Sequence, residues 1–122
     1  IAVDDDARTL RLLVDALGSP DDHVLTFDDP ETALSYLADG ARCDLLVLDV
    51  EMPGVDGFGV ARAVRRTPAQ QGLPILALTG ASEPDVAVRI LEAGADAYLS
   101  KPVNIAELRE VARRLIGEGA ER

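Results

Sequence analysis

Four short runs of nearly unbroken apolar residues set the fold, and each ends on a residue able to do polar chemistry. Ile1-Ala2-Val3 runs into Asp4-Asp5-Asp6, and Leu45-Leu46-Val47-Leu48 ends on Asp49. Ile75-Leu76-Ala77-Leu78 ends on Thr79, and Ala97-Tyr98-Leu99-Ser100 ends on Lys101. Strands that do not alternate apolar with polar are buried on both faces, which is the condition of a parallel sheet covered by helices. The C-terminal ends of such strands share one edge, where open α/β sheets bind their ligands. Carboxylates, a hydroxyl and an ammonium would meet there, in outline a site for a cation and a phosphate.

The segments between the runs read as helices. Leu10, Leu13, Val14 and Leu17 repeat at i, i+3, i+4 and i+7, until Gly18-Ser19-Pro20 stops the pattern. A second strand is expected over His23 to Phe27, followed by Asp29 as helix cap, Pro30 at the first helical position and Gly40 as the stop. The third strand covers Asp44 to Asp49, and Met52 to Gly57 is turn-rich. A helix bearing Val60, Ala61 and Val64 follows, then a loop from Thr67 to Pro74. After the fourth strand, Ser82 caps a helix with Val86, Ile90 and Leu91, which Gly94 ends. Asn104, three residues before Glu107, opens a last helix with Ile105, Leu108, Ala112 and Leu115 on one face. Five strand–helix alternations and right-handed crossovers predict a doubly wound five-stranded parallel sheet, flavodoxin-like, in the order 2-1-3-4-5.

Length and charge exclude other classes. At 122 residues the chain is one domain's worth, too short for an eight-stranded barrel. Its net charge of −10 argues against nucleic-acid binding by this domain, because phosphate backbones attract basic surfaces. No apolar stretch approaches the roughly 18 residues of a membrane helix. Cys43 has no internal partner, which fits a reducing cytoplasm. The chain opens at Ile1, already inside a strand, and so reads as processed or excised from something longer.

Asp49, at a strand end before a loop with Pro53, Gly54 and Gly57, is expected to be exposed enough to act as a nucleophile, although Asp at strand ends is also ordinary turn chemistry. Asp4 and Asp5 sharpen its reading. Two carboxylates about 4 Å apart repel by roughly 4 kcal/mol at an effective dielectric near 20. Bringing them beside Asp49 therefore needs a raised pKa or a bound cation, and Mg²⁺, which takes one or two carboxylates and keeps other oxygen ligands, suits the set. Asp6 is assigned as a helix cap rather than a ligand. Thr79 can donate to one phosphoryl oxygen and Lys101 can neutralise another. His23 has no neighbour at metal-ligand spacing and is read as structural; Cys43 and Met52 are read as core or loop fillers.

The segments Val3-Asp4-Asp5-Asp6, Leu48-Asp49-Val50-Glu51-Met52-Pro53-Gly54, Leu78-Thr79-Gly80 and Tyr98-Leu99-Ser100-Lys101-Pro102 carry a resemblance. In that order and spacing the chain resembles a receiver domain of bacterial two-component response regulators, of the chemotaxis-regulator kind. The resemblance implies a receiver domain over residues 1–116, with 117–122 as a tail or the start of a linker. It implies that Asp49 accepts a phosphoryl group from a sensor histidine kinase or a histidine phosphotransfer protein. Asp5 would ligate Mg²⁺ (or Mn²⁺) directly, Asp4 through water, and Glu51 through its backbone carbonyl. Thr79 and Lys101 would hold phosphoryl oxygens, and Lys101-Pro102 would be a cis peptide. Thr79 and Tyr98 would form the switch that alters the surface of the fourth helix, fifth strand and fifth helix, which could also carry a homodimer. Such a protein is a cytoplasmic signalling switch rather than an enzyme, touching neither nucleic acid nor membrane through this domain.

Glu51 stands where many receivers carry a neutral polar residue, and Ala81 offers nothing to position a hydrolytic water, so a long-lived phosphoryl group is expected. A phosphohydrolase with an aspartyl-phosphate intermediate would show Asp-x-Asp where this chain has Asp49-Val50-Glu51. An interaction-only pseudo-receiver is disfavoured because every phosphorylation residue is present.

Overall fold

The helices fall on two sides of the sheet because the strand residues alternate between two cores. In the computed structural model, which describes residues 1–20, 22–51, 57–80 and 84–120, the elements follow in the order β1 (Ala2–Val3), α1 (Ala7–Leu17), β2 (Thr26–Phe27), α2 (Pro30–Ala38), β3 (Leu46–Asp49), α3 (Gly57–Arg66), β4 (Ile75–Thr79), α4 (Pro84–Glu92), β5 (Ala97–Ser100) and α5 (Ile105–Ala120). All strand pairs are parallel and the order is β2-β1-β3-β4-β5, as expected. Val3, Leu46, Leu48, Ile75 and Ala77 point into one core with residues of α2, α3 and α4. Ala2, Val47, Leu76, Leu78 and Leu99 point into the other with Leu13 and Ala16 of α1 and Leu108, Ala112 and Leu115 of α5. This period-two alternation between two apolar layers is why β3 and β4 are buried throughout. The edge strand β5 buries Leu99 and exposes Tyr98 and Ser100.

Among the described residues the expected caps are in place. Asp6 accepts the Arg8 N–H at 2.9 Å and Asp29 the Glu31 N–H at 3.1 Å, with Pro30 opening α2. The Glu107 N–H donates to Asn104 Oδ1 at 3.0 Å. Gly40 and Gly94 follow their helices with φ of +86° and +121°, the left-handed backbone that glycine adopts without a steric penalty. The Lys101-Pro102 peptide is cis.

Several expectations need correction. Val14 is 38% exposed, and the small Ala16 is buried instead, so the inward face of α1 is centred on Leu13 and Ala16. Leu91 and Ile105, 45% and 40% exposed, lie outside their helices' buried faces. The second strand is confined to Thr26–Phe27, and His23 is an exposed loop residue. The loop after α3 contains a short 3-10 turn, Pro68–Gln70, whose buried Gln70 donates to the carbonyls of Leu37 and Ala41. Of the turn expected over Met52 to Gly57, residues 52–56 lie outside the described residues, as do Ala81 and the Ser82 cap, and Gly57 opens α3.

Candidate functional site

Parallel register places the candidate residues side by side. Val3 pairs with Leu48 and Asp49 with Leu78, so Asp4 emerges next to Asp49. Thr79 pairs with Ser100, and the Lys101 N–H donates to the Thr79 carbonyl at 2.8 Å. Strand alternation then sorts the side chains. Asp4, Asp49 and Lys101 fall in phase with Ala2, Val47 and Leu99, on the α1/α5 side, whereas Thr79 follows Ile75 and Ala77 on the opposite side.

The first group forms one charged cluster. Asp4 is fully buried, and Asp49, expected to be exposed, is only 3% exposed because it is still the last residue of the buried strand β3. Lys101 Nζ donates to Asp4 Oδ2 at 2.9 Å and lies 3.4 Å from Asp49 Oδ2. Asp4 Oδ1 accepts the Asp6 N–H at 2.9 Å, and Asp49 Oδ1 accepts the Glu51 N–H at 3.0 Å. Exposed Asp5 completes an acidic triad with Asp4 and Asp49, whose ligand oxygens all lie within 4.8 Å of one another.

Burial pushes the Asp49 carboxyl above its ordinary range; the Glu51 N–H opposes this, the Asp4 charge reinforces it and the Lys101 charge opposes it. Burial works against the Lys101 ammonium, but its hydrogen bond to Asp4 and the Asp49 charge outweigh that and raise its pKa. Three carboxylates against one ammonium leave an excess of negative charge in a mostly buried place. Such a set, made of hard oxygen donors only, fits a divalent cation such as Mg²⁺.

The second group is built on Glu51. Thr79, 2% exposed, donates its hydroxyl to Glu51 Oε1 at 2.8 Å. The Gly80 N–H donates to Glu51 Oε2 at 2.9 Å. The expectation for Glu51 concerned its backbone carbonyl; the side-chain contact to the end of β4 was not anticipated. Its sequence signal is the acid two residues past Asp49. Tyr98 is 41% exposed on β5.

Residues 1–113 match the family model described as the response regulator receiver domain. The chain belongs to this family. The receiver is 40% identical over 119 residues to the cyclic di-GMP phosphodiesterase response regulator RpfG of Xanthomonas campestris, covering 95% of this chain and 31% of that protein. It is 39% identical over 118 residues to the transcriptional regulatory protein AfsQ1 of Streptomyces coelicolor, covering 93% of this chain and 51% of that one. The receiver thus spans about half the length of one relative and less than a third of the other. Among solved structures, the chemotaxis protein CheY4 of Vibrio cholerae superposes with a TM-score of 0.84 at 32% identity, covering 93% of this chain and 94% of that one. No helix among the described residues is long and apolar enough to cross a membrane.

Proposed function

We propose that this receiver is a Mg²⁺-dependent phosphoacceptor switch in which Asp49 takes a phosphoryl group from a histidine kinase or a histidine phosphotransfer protein. The observation that carries the reading is the buried Asp49 carboxylate, held between Asp4, Asp5 and the Lys101 ammonium. In the transfer, an Asp49 carboxylate oxygen forms a bond to phosphorus as the phosphorus–nitrogen bond of the phosphohistidine breaks. The imidazole leaves with the bonding electron pair. Asp5, Asp4, Asp49 and the Glu51 carbonyl would hold the cation, which when bound neutralises charge on the phosphoryl oxygens.

The chain's own groups do the rest. The Glu51 N–H orients Asp49 through Oδ1. Lys101 is already within reach of Asp49 Oδ2 and offsets the incoming charge. Thr79 offers a hydroxyl from the end of the neighbouring strand, one residue past Leu78, the partner of Asp49. Val88, Leu91, Tyr98 and Ile105, each at least 40% exposed, give α4, β5 and α5 an apolar outer surface on which a change at Thr79 and Tyr98 would be read by an output partner or domain. A homodimer could use the same surface.

Intact mass after incubation with acetyl phosphate and Mg²⁺ tests the reading. A gain of one phosphoryl group that is absent in Asp49→Asn is expected. No gain in the unmodified chain would overturn it.

A further inference from the structure

The hydroxyl and the backbone N–H at the end of β4 converge on one anion, and that anion is the chain's own. Thr79 Oγ1 and the Gly80 N–H donate to the two oxygens of the Glu51 carboxylate at 2.8 and 2.9 Å. Two donors converging on a pair of oxygens form a cradle for any oxyanion of that span. Glu51 also has its N–H on Asp49 Oδ1 at 3.0 Å, so one residue fastens the acceptor with its backbone and fills the neighbouring cradle with its side chain.

We propose that Glu51 is a placeholder for the phosphoryl group: its carboxylate occupies the Thr79–Gly80 cradle in the unmodified receiver and must leave before a phosphoryl group on Asp49 can use those donors. This deepens the phosphoacceptor reading and rests on it. Glu51 is tethered two residues from Asp49, so its effective concentration at the cradle is high and an intermolecular anion competes against it. Its residue surface is exposed, which gives the displaced carboxylate a route into water. A phosphoryl group and a carboxylate also repel each other, so occupancy of the cradle is exclusive. Glu51 is therefore a specificity-determining residue that sets the threshold for modification.

Gly80 supplies an independent handle. A Cβ at this position would meet Glu51 Oε2 at 2.9 Å, with Glu51 Cδ at 3.9 Å, so Gly80→Ala crowds the carboxylate out while leaving the net charge unchanged.

The test is a titration with beryllofluoride, a phosphoryl mimic that attaches to carboxylates, at saturating Mg²⁺, followed by fluorine NMR. Glu51→Ala and Gly80→Ala should each bind the mimic at least about fivefold more tightly, the factor that one net hydrogen bond of about 1 kcal/mol represents. In the protein without mimic, Glu51→Ala should also move the Gly80 amide proton upfield, a readout independent of phosphorylation. Unchanged or weaker affinity in Glu51→Ala would overturn the proposal. Tighter binding in Glu51→Ala alone would assign the effect to net charge and overturn it as well. An unmodified chain that neither binds beryllofluoride nor gains mass from acetyl phosphate would instead overturn the phosphoacceptor reading, and this proposal with it.

Discussion

Neutralising Asp49 should stabilise the metal-free protein, although it removes an ion-pair partner. The Asp49–Lys101 contact at 3.4 Å is worth about 5 kcal/mol at an effective dielectric of 20. The repulsion from Asp4, with ligand oxygens within 4.8 Å, is at least about 3.5 kcal/mol on the same scale. These terms nearly cancel, so the dehydration of a carboxylate only 3% exposed decides the sign, a cost of several kcal/mol in proteins. Asp49→Asn keeps the size of the side chain and an acceptor for the Glu51 N–H. A gain of about 1–3 kcal/mol is expected, because Lys101 keeps Asp4 as its partner at 2.9 Å and the change leaves no buried charge unpaired. For a domain of this size each kcal/mol raises the midpoint by roughly 3–6 °C. Thermal unfolding followed by circular dichroism in EDTA at neutral pH measures it. Because Asp49 is raised in the fold, it burdens the native state fully above its folded pKa and not at all below its unfolded value near 3.8. The advantage of Asp49→Asn should therefore shrink as pH falls toward that value. Saturating Mg²⁺ should raise the unmodified chain more than the variant, since the stabilisation from a bound ligand grows with the logarithm of its affinity. A variant that melts at or below the unmodified chain in EDTA at neutral pH would refute the electrostatic reasoning.

Two further changes probe the scaffold. Gly94→Ala should lower stability by about 1–3 kcal/mol, read as a lower urea midpoint at unchanged slope, because a side chain is strained at this backbone geometry. Gly94 has φ +121°, and a Cβ there would stand 2.6 Å from Cγ of Arg65, whose guanidinium donates to Gly94, Gln71 and Leu73 carbonyls and to Asp96. Asp29→Ala should cost about 0.5–2 kcal/mol in the same assay; it removes the acceptor of the Glu31 N–H and of the Thr32 hydroxyl at the start of α2.

The sheet was legible because β3 and β4 are apolar on both faces, a pattern that half-exposed strands do not give. Their polar last residues, Asp49 and Thr79, marked the site only as a set with Asp4, Asp5 and Lys101, because Asp at a strand end is by itself ordinary turn chemistry and Thr an ordinary strand residue. Helix faces were read less well. A run of large apolar residues pointed to Val14, but the buried neighbour of Leu13 is Ala16, whose small side chain carries little hydrophobic signal. Ile105 sits in the first turn of α5, where the apolar stripe begins before the buried face does. The Glu51 contact could not be read from periodicity. Continued alternation would place Glu51 in phase with Asp49, but β3 ends at Asp49, and beyond it the chain brings the Glu51 side chain across to Thr79.

That crossing explains how one modification could be felt on both sides of the sheet. Asp4, Asp49 and Lys101 gather at the edge of the α1/α5 layer, whereas Thr79 ends a strand in phase with the residues facing α3 and α4. With Glu51 in the Thr79–Gly80 cradle, the negative groups of the two sides are held separately: Asp4 and Asp49 by Lys101, Glu51 by the end of β4. In the proposed switch, a phosphoryl group on Asp49 extends from the first side toward the second. To be held by both Lys101 and Thr79 it must bridge the sheet edge, and it can do so only by taking the donors that Glu51 occupies. The exchange of a tethered carboxylate for a group bonded to Asp49 therefore couples α5, which follows Lys101, to α4, which follows Thr79. A receiver whose cradle was empty beforehand would need no such exchange, and its two sides would be coupled by the new contacts alone.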